Sequence, residues 1–192
     1  MFFRKFFLIF LILTSVFAEF HISSREIVNV VNTNSFKFNE LCVSHLNYFQ
    51  DNLDSKVLWA RKFRDSWGDF PSGVFTGNVY DFGNFDQCVK FNHYSNEVGE
   101  ILGQHCTLMI QYDLDGDSAL MARFMMPKKN SEINVGIGIC FPTSCDPQQV
   151  KQIADEYLMN QFNVTTTSYD QQTLCSKAPQ PVKFNKLRVF AM

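Results

Sequence analysis

Asp113, Asp115 and Asp117 alternate along one short stretch, and Ser118 follows them. Alternating aspartates open calcium loops, where carboxylate oxygens converge on a hard cation. Here the sixth loop position is Ser118 where glycine is needed, and the twelfth is Phe124 where a bidentate glutamate is needed. Gly116-Asp117-Ser118 also has the form of a nucleophilic-serine signature. Such a serine requires a histidine base, and no histidine follows His105. Asp115-Gly116 is better read as the tip of a type I′ hairpin. The four histidines (His21, His45, His93, His105) are scattered, and no C-x2-C pair accompanies them. No catalytic set, metal site or cofactor is expected.

A second constellation is aromatic. Between Asp65 and Cys88, Gly68, Gly73, Gly77, Gly83 and Pro71 alternate with Trp67, Phe70, Phe75, Tyr80, Phe82 and Phe85. Glycine permits positive φ and close backbone approach, and proline fixes φ, so this stretch predicts a compact folded connector rather than a loose linker. Asp65, Asp69, Asp81 and Asp86 have no histidine or cysteine at ligand spacing. The connector therefore reads first as structure. Most of its rings belong to a core, but Phe70, Phe75, Phe82 and Phe85 are the residues expected to line an apolar recess for a ligand.

The first residues set the compartment. Arg4 and Lys5 precede the apolar run Phe6 to Leu13, and Val16-Phe17-Ala18 follows, which predicts a signal peptide over residues 1–18. Its apolar run is short of the roughly 20 residues a spanning helix needs. With the 18-residue leader removed, 174 of the 192 residues remain, and the 17 basic residues less Arg4 and Lys5 leave 15 against 19 acidic. That length suits one domain with its own core, and that charge speaks against nucleic acid as a partner. Cys42, Cys88, Cys106, Cys140, Cys145 and Cys175 make an even set behind a leader, so three disulfides are expected among about 15 connectivities. Cys140 ends a strand pattern and Cys145 opens a helix pattern, which favours a distant partner for each. Asn163-Val164-Thr165 is a glycosylation sequon at Asn163.

These residues have to be positioned by helices first and strands later. Ser23 to Asn34 suggests a short helix. Phe38, Leu41, Cys42, His45, Leu46 and Phe49 form a helical stripe that Asn52 and Asp54 end, and Ser55 to Trp67 resumes it with Gly68 as the C′ glycine. Period-two alternation predicts strands over Phe85–Phe91, Cys106–Tyr112, Leu120–Met126 and Ile133–Ile139. Asp146, Pro147 and Gln149 predict an N-cap, N1 and capping box for a helix whose apolar face holds Val150, Ile153, Ala154, Tyr157, Leu158 and Phe162. Thr165 to Thr167 suits an extended return. Lys177 to Met192 reads as a basic tail, leaving residues 19–176 as one disulfide-bonded α+β domain with N-terminal helices, a small, mainly antiparallel sheet and a late amphipathic helix.

The order Asp65-Ser66, Gly68, Pro71-Ser72-Gly73, Gly77-Asn78, Gly83, Asp86-Gln87-Cys88, Gly103, Cys106 and Gly138-Ile139-Cys140-Phe141-Pro142-Thr143-Ser144-Cys145 resembles the extracellular N-terminal domain of nose resistant-to-fluoxetine proteins. The resemblance covers Leu41 to Cys175 and departs at Trp67, where a small residue is expected, so the packing there should differ. In that family the domain commonly precedes a multi-pass region similar to acyltransferases, and members are associated with transport of lipophilic molecules. The sequence ends at Met192 without such a region, so acyltransferase activity is not carried over. The resemblance implies a secreted, non-enzymatic module that binds lipids or other apolar small molecules, or that acts with a membrane-protein partner. The alternatives are an extracellular protein-interaction domain, or the truncated ectodomain of a multi-pass acyltransferase-like membrane protein.

Overall fold

A computed structural model of the chain describes residues 22–69, 71–72, 77–112, 133–162 and 175–178. The predicted leader (residues 1–18), Phe70, Phe75, the predicted Asp113–Asp117 turn, the Leu120–Met126 alternation, Asn163, Thr165–Thr167 and residues beyond Ala178 lie outside the described residues. Within them the class is α+β, as expected, with five α-helices and a small mixed sheet.

Helix α1 (Ser24–Thr33) starts where the Ser23 hydroxyl accepts from the Glu26 amide at 3.3 Å, and it buries Ile27, Val28, Val30 and Val31. Helix α2 (Glu40–Asp54), capped by Asn39, turns Cys42, His45, Leu46 and Phe49 inward. It runs past Asn52, which the sequence suggests as a breaker, because the Asn52 amide donates to the Tyr48 carbonyl four residues back. That bond satisfies the side chain on the helix instead of competing with it. The chain turns at Lys56, at φ 59°, into α3 (Leu58–Asp65).

Two local expectations are corrected next. Gly68 is not the C′ residue of α3, because Ser66 already caps that helix. Its lack of a side chain matters for space instead: a Cβ there would meet the Asp81 carbonyl oxygen at 2.1 Å. Phe85–Phe91 is not a strand. Residues Phe85–Val89 form the short helix α4, because Asn84 accepts from the Gln87 amide at 3.0 Å as an N-cap, and Cys88 and Val89 then face inward. Over so few residues, alternation and helical spacing are nearly indistinguishable. Trp67 turns into the core, 6.3 Å from Phe141 and beneath the Arg64 guanidinium.

The sheet follows the order β1 (Tyr80–Asp81), β4 (Ile133–Pro142), β3 (Gly99–Tyr112), β2 (Asn92–Ser95), with β5 (Cys175–Lys177) also pairing β3. β1 runs parallel to β4, and the other pairings are antiparallel. Lys177, assigned to the tail from sequence, is the last residue of β5 opposite Gln104. Cys106, Leu108 and Ile110 lie opposite Ile139, Ile137 and Val135, and all six are buried on one face. Helices α2 and α5 (Pro147–Phe162) pack there. The capping box predicted for α5 is complete: Asp146 accepts from the Gln149 amide at 2.9 Å, and the Gln149 side chain accepts from the Asp146 amide.

All six cysteines pair: Cys42 with Cys145, Cys88 with Cys140, and Cys106 with Cys175. Cys140 and Cys145 each bond a distant partner. The bridges tie α2 to the entrance of α5, α4 to β4, and β5 to β3.

Candidate functional site

The other face of β3 and β4 presents His105, Thr107 and Met109 opposite Cys140, Gly138 and Gly136. Two glycines at alternate positions leave a groundplan without side chains, and the connector lies down on it. A Cβ at Gly138 would meet the Phe82 carbonyl oxygen at 2.2 Å and His105 Nε2 at 2.5 Å. One at Gly136 would meet the Tyr80 ring at 2.6 Å and Met109 Sδ at 2.9 Å. Real Cβ atoms do not approach so closely, so glycine is what lets this layer close.

Hydrogen bonds fix the strap. The Gly68 amide donates to the Gly138 carbonyl at 2.6 Å, Asn84 N–H to the Ser66 carbonyl at 2.9 Å, and Gly136 N–H to the Val79 carbonyl at 3.0 Å. Asp81 accepts from the amides of Asp69 and Gly83 with its two oxygens, at 3.2 and 3.0 Å. Asp81 thus holds loop backbone. Gly83, at φ 60°, supplies the left-handed turn that carries the chain into α4. His105, itself buried, makes a 2.8 Å hydrogen bond through Nε2 to the Phe82 carbonyl, which can only accept, so Nε2 carries the proton.

The result is a strip in two parts, a stacked Tyr80–Phe82 pair at the sheet's β1 edge and Phe85 over His105 of β3. Tyr80 and Phe82 stack at 5.5 Å, and Phe85 meets the His105 ring edge-on at 5.2 Å. Their relative exposures are 47, 45 and 47 %. Of the four phenylalanines picked from sequence, Phe82 and Phe85 are both exposed, and His105 links them by bonding the Phe82 carbonyl and meeting the Phe85 ring. Phe70 and Phe75 lie outside the described residues. Sequence reasoning missed Tyr80, His105 and Met109 as neighbours of this strip. The available signal was the alternation Gly136, Gly138, Cys140 in β4, which marks a sheet face that something must cover closely.

Two other histidines have partners that bear on chemistry. His45 is buried in α2, with Nε2 2.9 Å from the Val98 carbonyl and Nδ1 2.9 Å from the Ser144 hydroxyl. The carbonyl requires the proton on Nε2, so Ser144 donates to Nδ1. A serine and a base are in contact, but the outer partner is a carbonyl and not a carboxylate, and the imidazole is sealed from solvent. The pair pins α2 to the turns on either side. His93 stacks on Trp59 at 4.1 Å, and burial pushes its pKa down. Among the described residues no cluster of three or more His, Cys, Asp and Glu side chains could hold a metal ion.

The family model of the nose resistant-to-fluoxetine protein N-terminal domain matches residues 42–154, from Cys42 in α2 to Ala154 in α5. The chain belongs to this family. No curated protein and no solved structure matches it significantly. The NRF domain match contains the whole glycine strap, the aromatic strip and five of the six disulfide cysteines, leaving out Cys175. Three disulfides and an NRF N-terminal domain fit an extracellular location. Among the described residues no helix is long and apolar enough to cross a membrane.

Proposed function

We propose that this NRF domain is a secreted, non-enzymatic recognition module that takes lipids or other lipophilic molecules on the strip formed by Tyr80, Phe82 and Phe85. The observation that carries the reading is three half-exposed aromatic rings, Tyr80 stacked on Phe82 and Phe85 against His105, on a hydrogen-bonded, glycine-paved ledge. Aromatic area is normally hidden, and a fixed cluster of it at the surface marks a contact site. Because the ledge is held by backbone bonds and the Cys88–Cys140 bridge, a ligand meets it already ordered, which lowers the entropic cost of binding. The openness of the strip favours a second reading, in which it seats an apolar patch of a membrane-protein partner.

Detergent-free protein should bind a fluorescent fatty acid saturably at micromolar concentration, about −8 kcal/mol. Phe82→Ala and Phe85→Ala should each weaken that binding about tenfold, or about 1.4 kcal/mol, while hardly moving the melting temperature. A lipophile panel without saturable binding, together with ring-dependent attachment to cells, would replace the lipid reading with the protein one.

A further inference from the structure

Three side chains from three separate elements converge on the main chain just ahead of α1. The Ile22 amide donates to Asp69 Oδ1 at 3.1 Å, Arg64 Nη2 donates to the Ile22 carbonyl at 2.9 Å, and the Ser23 amide donates to the Tyr157 hydroxyl at 3.2 Å. The Ile22 side chain is itself buried, 4 % exposed. Arg64 belongs to α3, Asp69 to the connector and Tyr157 to α5. The guanidinium is held over the Trp67 ring at 4.9 Å and lies 4.0 Å from Asp69. Both peptide groups of one residue are thus read by charged side chains while its side chain fills an apolar hole, the way an extended peptide is gripped.

The grip reaches the aromatic strip through two aspartates. Asp69 takes the Ile22 amide on its side chain, while its own amide donates to Asp81 Oδ2; Asp81 Oδ1 in turn accepts from Gly83, next to Phe82. Ile22, Asp69, Asp81 and Gly83 form an unbroken chain of hydrogen bonds from the N-terminal segment to the ledge.

We propose that Arg64, Asp69 and Tyr157 form a docking site for peptide main chain, filled in cis by Ile22–Ser23, and that its occupation orders the aromatic strip. The docking site stands by itself, and its effect on ligand uptake rests on the reading of the strip given above. Ile22 and Tyr157 both fall outside the family-matched residues 42–154, so the occupant and one arm of the clamp lie beyond the matched segment.

The test uses the full chain and residue-resolved amide exchange, with intact mass under non-reducing conditions showing that all three bridges have formed. Asp69→Ala should speed exchange at Ile22 by about tenfold or more and at Gly83 several-fold. Tyr157→Phe should speed Ser23 and leave Ile22 nearly unchanged, and it keeps the test decisive if Asp69→Ala fails to fold. Ile22 and Ser23 amides that exchange at open-chain rates in the unmodified protein would overturn the docking site. Accelerated Ile22 with unchanged Gly83 would overturn the coupling. If both amides respond but the unmodified protein binds no lipophile, the clamp stands and the lipid reading of the strip falls.

Discussion

The two faces of the β3–β4 pair are closed by different physics. On one, Cys106, Leu108, Ile110, Val135, Ile137 and Ile139 bury against α2 and α5. On the other, His105, Met109 and two glycines receive the connector through backbone hydrogen bonds, close contact and the Cys88–Cys140 bridge. The first face is stabilised by apolar area, which is nondirectional and tolerates small shifts. The second depends on direction and clearance, which position three half-exposed rings at the surface. One face holds the fold, and the other holds a surface in shape.

The largest effect should follow from breaking the apolar face. Ile137→Ala removes buried methyl groups at a site closed on all sides, and it should cost about 2–5 kcal/mol in urea unfolding without reductant. Amide exchange at Gly83 should rise only in step with the loss of global stability. Local loosening of the strap at unchanged global stability would mean that the two faces are not separable.

Gly138→Ala breaks the other face. The new methyl would run into the Phe82 carbonyl oxygen and His105 Nε2, so the strap must lift. The expected cost is about 1–3 kcal/mol, smaller than for Ile137→Ala, but with selective loss of protection at Gly68 and Gly83. A cost within a few tenths of a kcal/mol and unchanged exchange would show that close approach is not what seats the connector.

The same division explains what could be read from the sequence. The apolar face was legible because it repeats: β4 shows a period of two over Ile133 to Ile139, and α2 and α5 carry stripes with recognisable caps. The strap face was only partly legible. Its glycines and rings announced a folded connector, and Phe82 and Phe85, expected to line an apolar recess, are exposed on this face. Tyr80, His105 and Met109 join them only when β1 pairs with β4, a contact made far along the chain by a strand of two residues with no periodicity to show. The helix α4 was misread because five residues cannot separate the two periods, and the Asn84 cap decided the matter. The Ile22 clamp left no local signal at all, since its three arms come from different elements.

The smallest effect should come from a cluster beyond both faces. His93, on the β2–β3 hairpin, stacks on Trp59 and also faces Tyr48 at 6.3 Å, with its buried Nε2 lacking a hydrogen-bond partner among the described residues. Burial lowers its native pKa below the ordinary value of about 6.5. As pH falls through about 6.5 the unfolded chain takes up this proton first, so it binds more protons than the native state and stability declines toward acid. The stabilising contribution is complete above the unfolded value and is lost progressively as pH falls through the lower native one. The ring is partly solvated, so the effect should be modest. His93→Phe keeps a flat ring on Trp59 and removes the titration. Urea midpoints at pH 7.5 and pH 5 should therefore differ less for the variant than for the unmodified chain. Equal differences would place the acid sensitivity elsewhere and leave His93 as a packing residue only.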